Sequence, residues 1–154
     1  MKRVRYYTRR RPQVDRCSSA WLLKRFVEPG AEFVFVDEGD QVPGAIPFDM
    51  SGVELGHHRG RCTFEAILTK HKLKDPALQE LGRVIRSADL LDAEETLEGP
   101  GLDLLFRGML HLTKDDHEVL ILAEPVLDAL YAALQERRAT QTRQVRRRST
   151  HRKR

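Results

Sequence analysis

At 154 residues, 40% of them hydrophobic and 32% charged, the chain has the size of one domain, and no repeat or break in composition divides it. No stretch approaches the ~20 apolar residues of a transmembrane helix, the basic start MKRVRYYTRRRP has no apolar secretory core, and Cys17 and Cys62 lie outside any CxxC pair, so the expectation is a cytoplasmic protein with two thiols and no disulfide framework. The net charge of +4 conceals an acidic body, because residues 17 to 136 hold 11 Lys/Arg against 22 Asp/Glu while residues 137 to 154 hold nine Lys/Arg and no acid.

In chain order, Arg3 to Thr8 alternates with Val4, Tyr6 and Tyr7 as a first strand, which Arg11-Pro12 ends because proline cannot donate to a ladder. Asp15 is a suitable N-cap for the helix that follows. On its wheel Ala20, Leu22, Leu23, Phe26 and Val27 share one arc, and Cys17, Ser18, Lys24 and Arg25 take the other. Glu28-Pro29-Gly30 stops it. Glu32 to Val36 (EFVFV) is β-branched and aromatic, a second strand, and Ala45 to Phe48 is a short third, with Asp37 to Gly44 as loop between them.

Thr63 can cap a helix whose face carries Phe64, Ile67, Leu68 and His71, and Asp75-Pro76 opens another through a cap and a first-turn proline, with Leu78, Leu81, Val84, Ile85 and Ala88 as its stripe. Gly99-Pro100-Gly101 reads as a hinge or turn. Leu102 to Leu112 and Asp115 to Leu134 read as two further helices, the second interrupted by Pro125, which either kinks it or starts a new one. The fold class is α/β (α+β): a small, mostly N-terminal sheet of about three strands covered by a C-terminal helical layer over residues 1–136. The Arg-rich residues 137–154 have almost nothing apolar to bury and are expected to be disordered in isolation. They serve either as a nucleic-acid contact through phosphate neutralisation or as a solubilising extension.

The sequence has no GxGxxG, Walker A, HExxH or GxSxG pattern, which argues against nucleotide-driven chemistry and the common protease and esterase mechanisms and leaves open a site assembled from distant residues. The densest reactive segment is GHHRGRCTFE, between a strand and a helix start, where sites usually sit. His57 and Glu65 suit a divalent transition metal (Zn, Fe, Ni or Mn), with Asp89 and His117 to complete the shell and Asp92 in support. Cys62 is a further candidate, as a ligand or as a redox thiol with a catalytic part. Plainer roles stand beside these: His117 as an exposed first-turn residue, Asp89 as a partner of helix backbone, and Cys62 as a small core residue. A second group, Arg11, Asp15, Arg16, Ser18, Trp21 and Arg25, surrounds the first strand-to-helix junction. Its arginines are bidentate donors for an oxyanion, or else partners of an Asp15 cap.

The blocks TRRRPQVDRCSSAWLLKRFVEPGAEFVFV and PFDMSGVELGHHRGRCTFEAIL, followed by SADLLD and DDHE, resemble the C-terminal domain of the chromate-resistance ChrB family over about residues 6 to 133, the last third more loosely. Matching positions are Arg11, Asp15, Arg16, Trp21 and Arg25, then His57, Cys62 and Glu65, then Asp89 and His117. His58 departs from the family pattern, in which one histidine precedes the glycine-containing turn, and ranks below His57. In the family's regulators this domain follows a DNA-binding region. For this sequence, which shows none, the resemblance implies the sensing or detoxifying half of a chromate-responsive protein. The expected function is therefore binding of a transition metal or of chromate or another small oxyanion, with Arg11, Arg16 and Arg25 supplying positive charge. Two alternatives remain: a small metal-dependent detoxifying enzyme, redox or hydrolytic, and a nucleic-acid-associated regulator acting through its basic ends.

Overall fold

The computed structural model describes residues 2–90 and 95–152. Strand β1 (Arg5–Arg9) is the centre of a three-stranded sheet ordered β2-β1-β3, with β2 (Glu32–Val36) and β3 (Ile46–Pro47) both parallel to it. Arg5 pairs with Glu32 and Arg9 with Val36 on one side, while Tyr6 and Tyr7 face Ile46 and Pro47 on the other. The chain thus goes from β1 to one flank and then crosses to the opposite one. That reversal leaves a crevice beyond the carboxyl ends of β1 and β3, the place where open parallel sheets hold their ligands.

Helix α1 (Val14–Leu22) makes the crossover and runs into a π-helical turn over Leu23–Val27 before Pro29-Gly30 ends it. The expected one-sided wheel is corrected here, because Cys17 and Ser18 are as buried as Leu22. The helix is held between the sheet and the helical layer, so its short residues serve as spacers where neighbours approach closely. Asp15 is also not its cap. The N-cap is Gln13, and the Asp15 side chain serves another helix, as described below.

The helical layer comprises α2 (Thr63–Lys70), α3 (Pro76–Asp89), α4 (Gly99–Leu112) and α5 (Asp116–His151). Asp75 caps α3 by accepting from the Ala77 amide at 2.8 Å, as the Asp-Pro signal predicts. Gly99-Pro100-Gly101 forms the first turn of α4 rather than a hinge, since proline at the second helical position gives up an amide that has no helical partner there. Helix α5 runs unbroken through Pro125. The carbonyl left without its bond belongs to Ile121, which is exposed, so water can take it.

The core centres on Phe48, Phe64, Phe106 and Leu22, all fully buried, with Trp21 stacked near-parallel on Phe64 at 6.5 Å and edge-on to Tyr131 at 5.9 Å. Helix α5 packs on it through Val119, Ala123, Leu127, Tyr131 and Leu134, a stripe spaced by three and four residues. The helix continues through the Arg-rich segment to His151, where composition alone leads to an expectation of disorder in isolation. No helix among the described residues is long and apolar enough to cross a membrane.

Candidate functional site

The crevice at the ends of β1 and β3 is organised by Asp15, whose side chain is almost completely buried. A buried carboxylate is tolerated only where donors replace its water. Its oxygens accept from the amides of Thr63 at 2.8 Å and Phe64 at 3.0 Å, the first two residues of α2, and from the Ser19 hydroxyl at 3.3 Å. Asp15 therefore caps α2 from α1. The positive end of the α2 dipole adds to the stabilisation of the charge.

The chain reaches the same point from β3 by a tight loop. Asp49, directly after Phe48, adopts φ +50°, a left-handed conformation that Asp tolerates better than most residues. Its amide donates to Leu55 at 2.7 Å and so folds the loop back on itself. Gly56 then passes so close to the turn that a Cβ would stand 2.9 Å from the Met50 carbonyl oxygen. This close passage delivers His57 over Asp15. His57 Nε2 lies 3.0 Å from Asp15 Oδ2, 3.3 Å from Asp89 Oδ2 and 3.4 Å from Asp49 Oδ1. Three carboxylates from α1, the β3 loop and the end of α3 thus converge on one ring nitrogen.

Arg16 closes one side. Its Nε is 3.0 Å from Asp49 Oδ2, and its terminal nitrogens donate to the carbonyls of Arg10 and Asp49, both at 3.2 Å. Thr63 Oγ1 donates to the other Asp49 oxygen at 2.8 Å. Above the cluster is a polar cavity of about 400 Å³ lined by Arg9, Arg16, Asp49, Ser51, His57 and Asp89.

Charge sets the protonation states. The hydrogen bond to Asp15, then that to Asp49, pushes His57 up to about 10 against the opposing effect of burial. Burial, then the negative charges of Asp15 and Asp49, pushes Asp89 up to about 7. Burial alone would raise Asp49 as well, but hydrogen bonds from His57 and Thr63 and the charge of Arg16 bring it below the usual carboxylate range. Near neutrality His57 is an imidazolium, and Asp89 is poised between its two forms.

Of the residues predicted from sequence, His57, Asp89, Asp15 and Arg16 meet here. The others lie elsewhere. Glu65 accepts from the Cys62 amide at 3.2 Å, closing the first turn of α2, and pairs with Arg86 at 3.1 Å. His117, at the start of α5, sits edge-on to Phe35 at 5.1 Å in clefts along β2. Arg25 pairs with Asp128 and lies over Trp21 at 5.7 Å, while Trp21 Nε1 donates to the same Asp128 at 2.9 Å. Arg11, at φ +57°, does not line the cavity. Cys62 is fully buried, and burial raises its thiol beyond the range in which a thiolate forms. Asp92 lies outside the described residues.

Sequence reasoning missed Asp49 and Arg9. A signal was present for each: Asp49 is the acid two residues after the third strand and just before a Ser-Gly turn, and Arg9 is the last residue of the first strand.

The family described as ChrB, C-terminal domain matches residues 6–134. The chain belongs to that family. Protein ChrB of Cupriavidus metallidurans is 32% identical to this ChrB-type domain over 126 residues, which cover 80% of this chain and 39% of that protein. The chain thus spans well under half the length of that relative. No solved structure matches it. The ChrB match runs from within β1 to Leu134, so it takes in the whole cluster and stops where α5 turns Arg-rich.

Proposed function

We propose that this ChrB-type domain is the ligand-binding part of a chromate-responsive or chromate-resistance protein, and that it holds a divalent transition metal on His57, Asp15 and Asp89, with Asp49 beside them. The observation that carries this reading is the convergence of three carboxylates on His57 Nε2, with donor atoms of Asp15, His57 and Asp89 all within 4.8 Å of one another. Such acids tolerate one another only around a positive charge, which the proton on His57 supplies in the metal-free state. Asp89 is raised first by burial and then by the charges of Asp15 and Asp49, each of which outranks the opposing charges of His57 and Arg16. A divalent cation would supply two charges where the proton supplies one, and mixed nitrogen and oxygen donors suit Zn, Fe, Ni or Mn.

Arg16 is committed to Asp49 and to backbone carbonyls, which leaves the bound cation and Arg9, held only by a 3.8 Å pair to the exposed Glu38, as the groups that would meet an oxyanion in the cavity. Chromate is the oxyanion that family membership favours. Elemental analysis of untagged protein, with calorimetry of Zn²⁺, Mn²⁺ and chromate on the parent and on His57→Ala, tests the reading. About one metal per chain is expected, lost in His57→Ala together with chromate binding; no binding of either metal by the parent would sink it.

A metal-dependent hydrolytic enzyme is a second reading, favoured by one observation. Asp89, poised near neutrality at the edge of an open cavity, is suited to take a proton from a water molecule. Asp89→Asn would then abolish turnover while a metal stayed bound through His57 and Asp15.

A further inference from the structure

The end of α5 is physically separate from the rest of the molecule. Arg137 is its last firmly anchored turn, donating to Glu98 at 2.7 Å and Glu80 at 2.5 Å, with Arg138 Nε 2.8 Å from the other oxygen of Glu80. From 139 to 152 every residue is exposed, and the helical part of this stretch is a rod about 20 Å long at 1.5 Å per residue. It carries Arg143, Arg146, Arg147, Arg148 and Arg152 and no acid. None of these five makes an ion pair among the described residues. At 100° per residue they are distributed around the whole circumference, and the one large apolar side chain is Val145.

That distribution selects among partners. A helix that lies in a membrane surface needs an apolar face, and this one has none. A helix that docks in a protein groove needs apolar anchors at three- and four-residue spacing, which are also absent. A cationic rod with charge on every side is matched by a ligand that surrounds it with anions. The major groove of B-form DNA is about 12 Å wide, admits an α-helix and has phosphates along both walls, whereas that of duplex RNA is too deep and narrow. The body, with its excess of acids, is repelled by such a ligand, and the pairs to Glu80 and Glu98 fix the root from which the rod projects.

We infer that residues 139–152 bind duplex DNA through its phosphates, independently of base sequence and of the His57 site. The test is fluorescence anisotropy of the full chain on a duplex of about 20 base pairs between about 50 and 300 mM salt. Four or five arginine–phosphate contacts predict a slope of log K against log salt of about −4. The full chain carrying R143Q/R146Q/R147Q/R148Q should bind more than about tenfold more weakly at the lower salts, with a slope near −1, and should unfold at the parent temperature because these side chains are exposed and make no ion pair with the described residues of the body. The inference is overturned if the parent's slope is shallower than about −2, if the variant binds as the parent does, or if vesicles of phosphatidylglycerol or an RNA duplex bind more tightly than DNA.

Discussion

At His57 a metal and a proton compete for one ring nitrogen. Because Asp15 and Asp49 hold that proton up to about 10 and burial holds one on Asp89 up to about 7, binding a cation must release the first and, below about pH 7, the second as well. Zn²⁺ or Mn²⁺ affinity should therefore rise about a thousandfold from pH 6 to 8, His57 contributing across the interval and Asp89 mainly below 7. Calorimetry in buffers of different ionisation enthalpy counts the released protons, and a pH-independent affinity would remove His57 from the ligand set. The metal-free protein should respond in the opposite sense. Both folded-state values are raised above the unfolded ones, so each contribution is complete below the unfolded value and lost as pH rises through the folded one. Stability falls between about pH 4 and 7 from Asp89 and between about 6.5 and 10 from His57, the latter step absent in His57→Ala by denaturant titration. Asp15 has a second, structural task. Asp15→Ala leaves the Thr63 and Phe64 amides buried without their acceptor and should cost about 2–4 kcal/mol in denaturant unfolding.

At the scale of elements, the site depends on how closely the loop after β3 can turn. Gly56→Ala places a Cβ 2.9 Å from the Met50 carbonyl oxygen and 3.1 Å from that of Val53. Backbone on both sides cannot yield cheaply, so a loss of about 1–3 kcal/mol in stability is expected. A loss of metal affinity larger than that of a stability-matched core variant should accompany it, because His57 is the next residue. Equal losses in the two variants would mean the loop merely tolerates Gly56. Local signals made the elements legible: EFVFV gave β2 without error, and Asp75-Pro76 gave the start of α3. What failed was information held by neighbours. Cys17 and Ser18 look like a polar face until two layers close on α1, and Gly99 to Gly101 look like a hinge until Pro100 is seen to open a helix. The site divides in the same way. His57 and Asp89 were legible as ligand types near element ends, but Asp49 gains its place only through a strand crossing that the sequence does not display. Glu65 and His117 carry the right chemistry on helices that direct it elsewhere.

For the molecule as a whole, the cluster lies where separate parts of the chain meet. Asp15 comes from the first helix, Asp49 and His57 from the loop system after β3, and Asp89 from the last turn of α3, so one ion would tie the sheet's open end to the helical layer. Ligands that bind only the folded chain stabilise it by mass action, by about 2.7 kcal/mol at a hundredfold excess over Kd. For a domain of this size that is a rise in Tm of roughly 5–10 °C. Calorimetric scans with Zn²⁺ or Mn²⁺ should show that rise in the parent, a smaller one in Asp89→Asn, and none in His57→Ala. The arginine variant of the projecting helix, which touches no part of the cluster, should rise with the parent. An equal rise in all four proteins would instead reveal nonspecific binding to the acidic surface, and would separate that general charge effect from occupation of the crevice at His57.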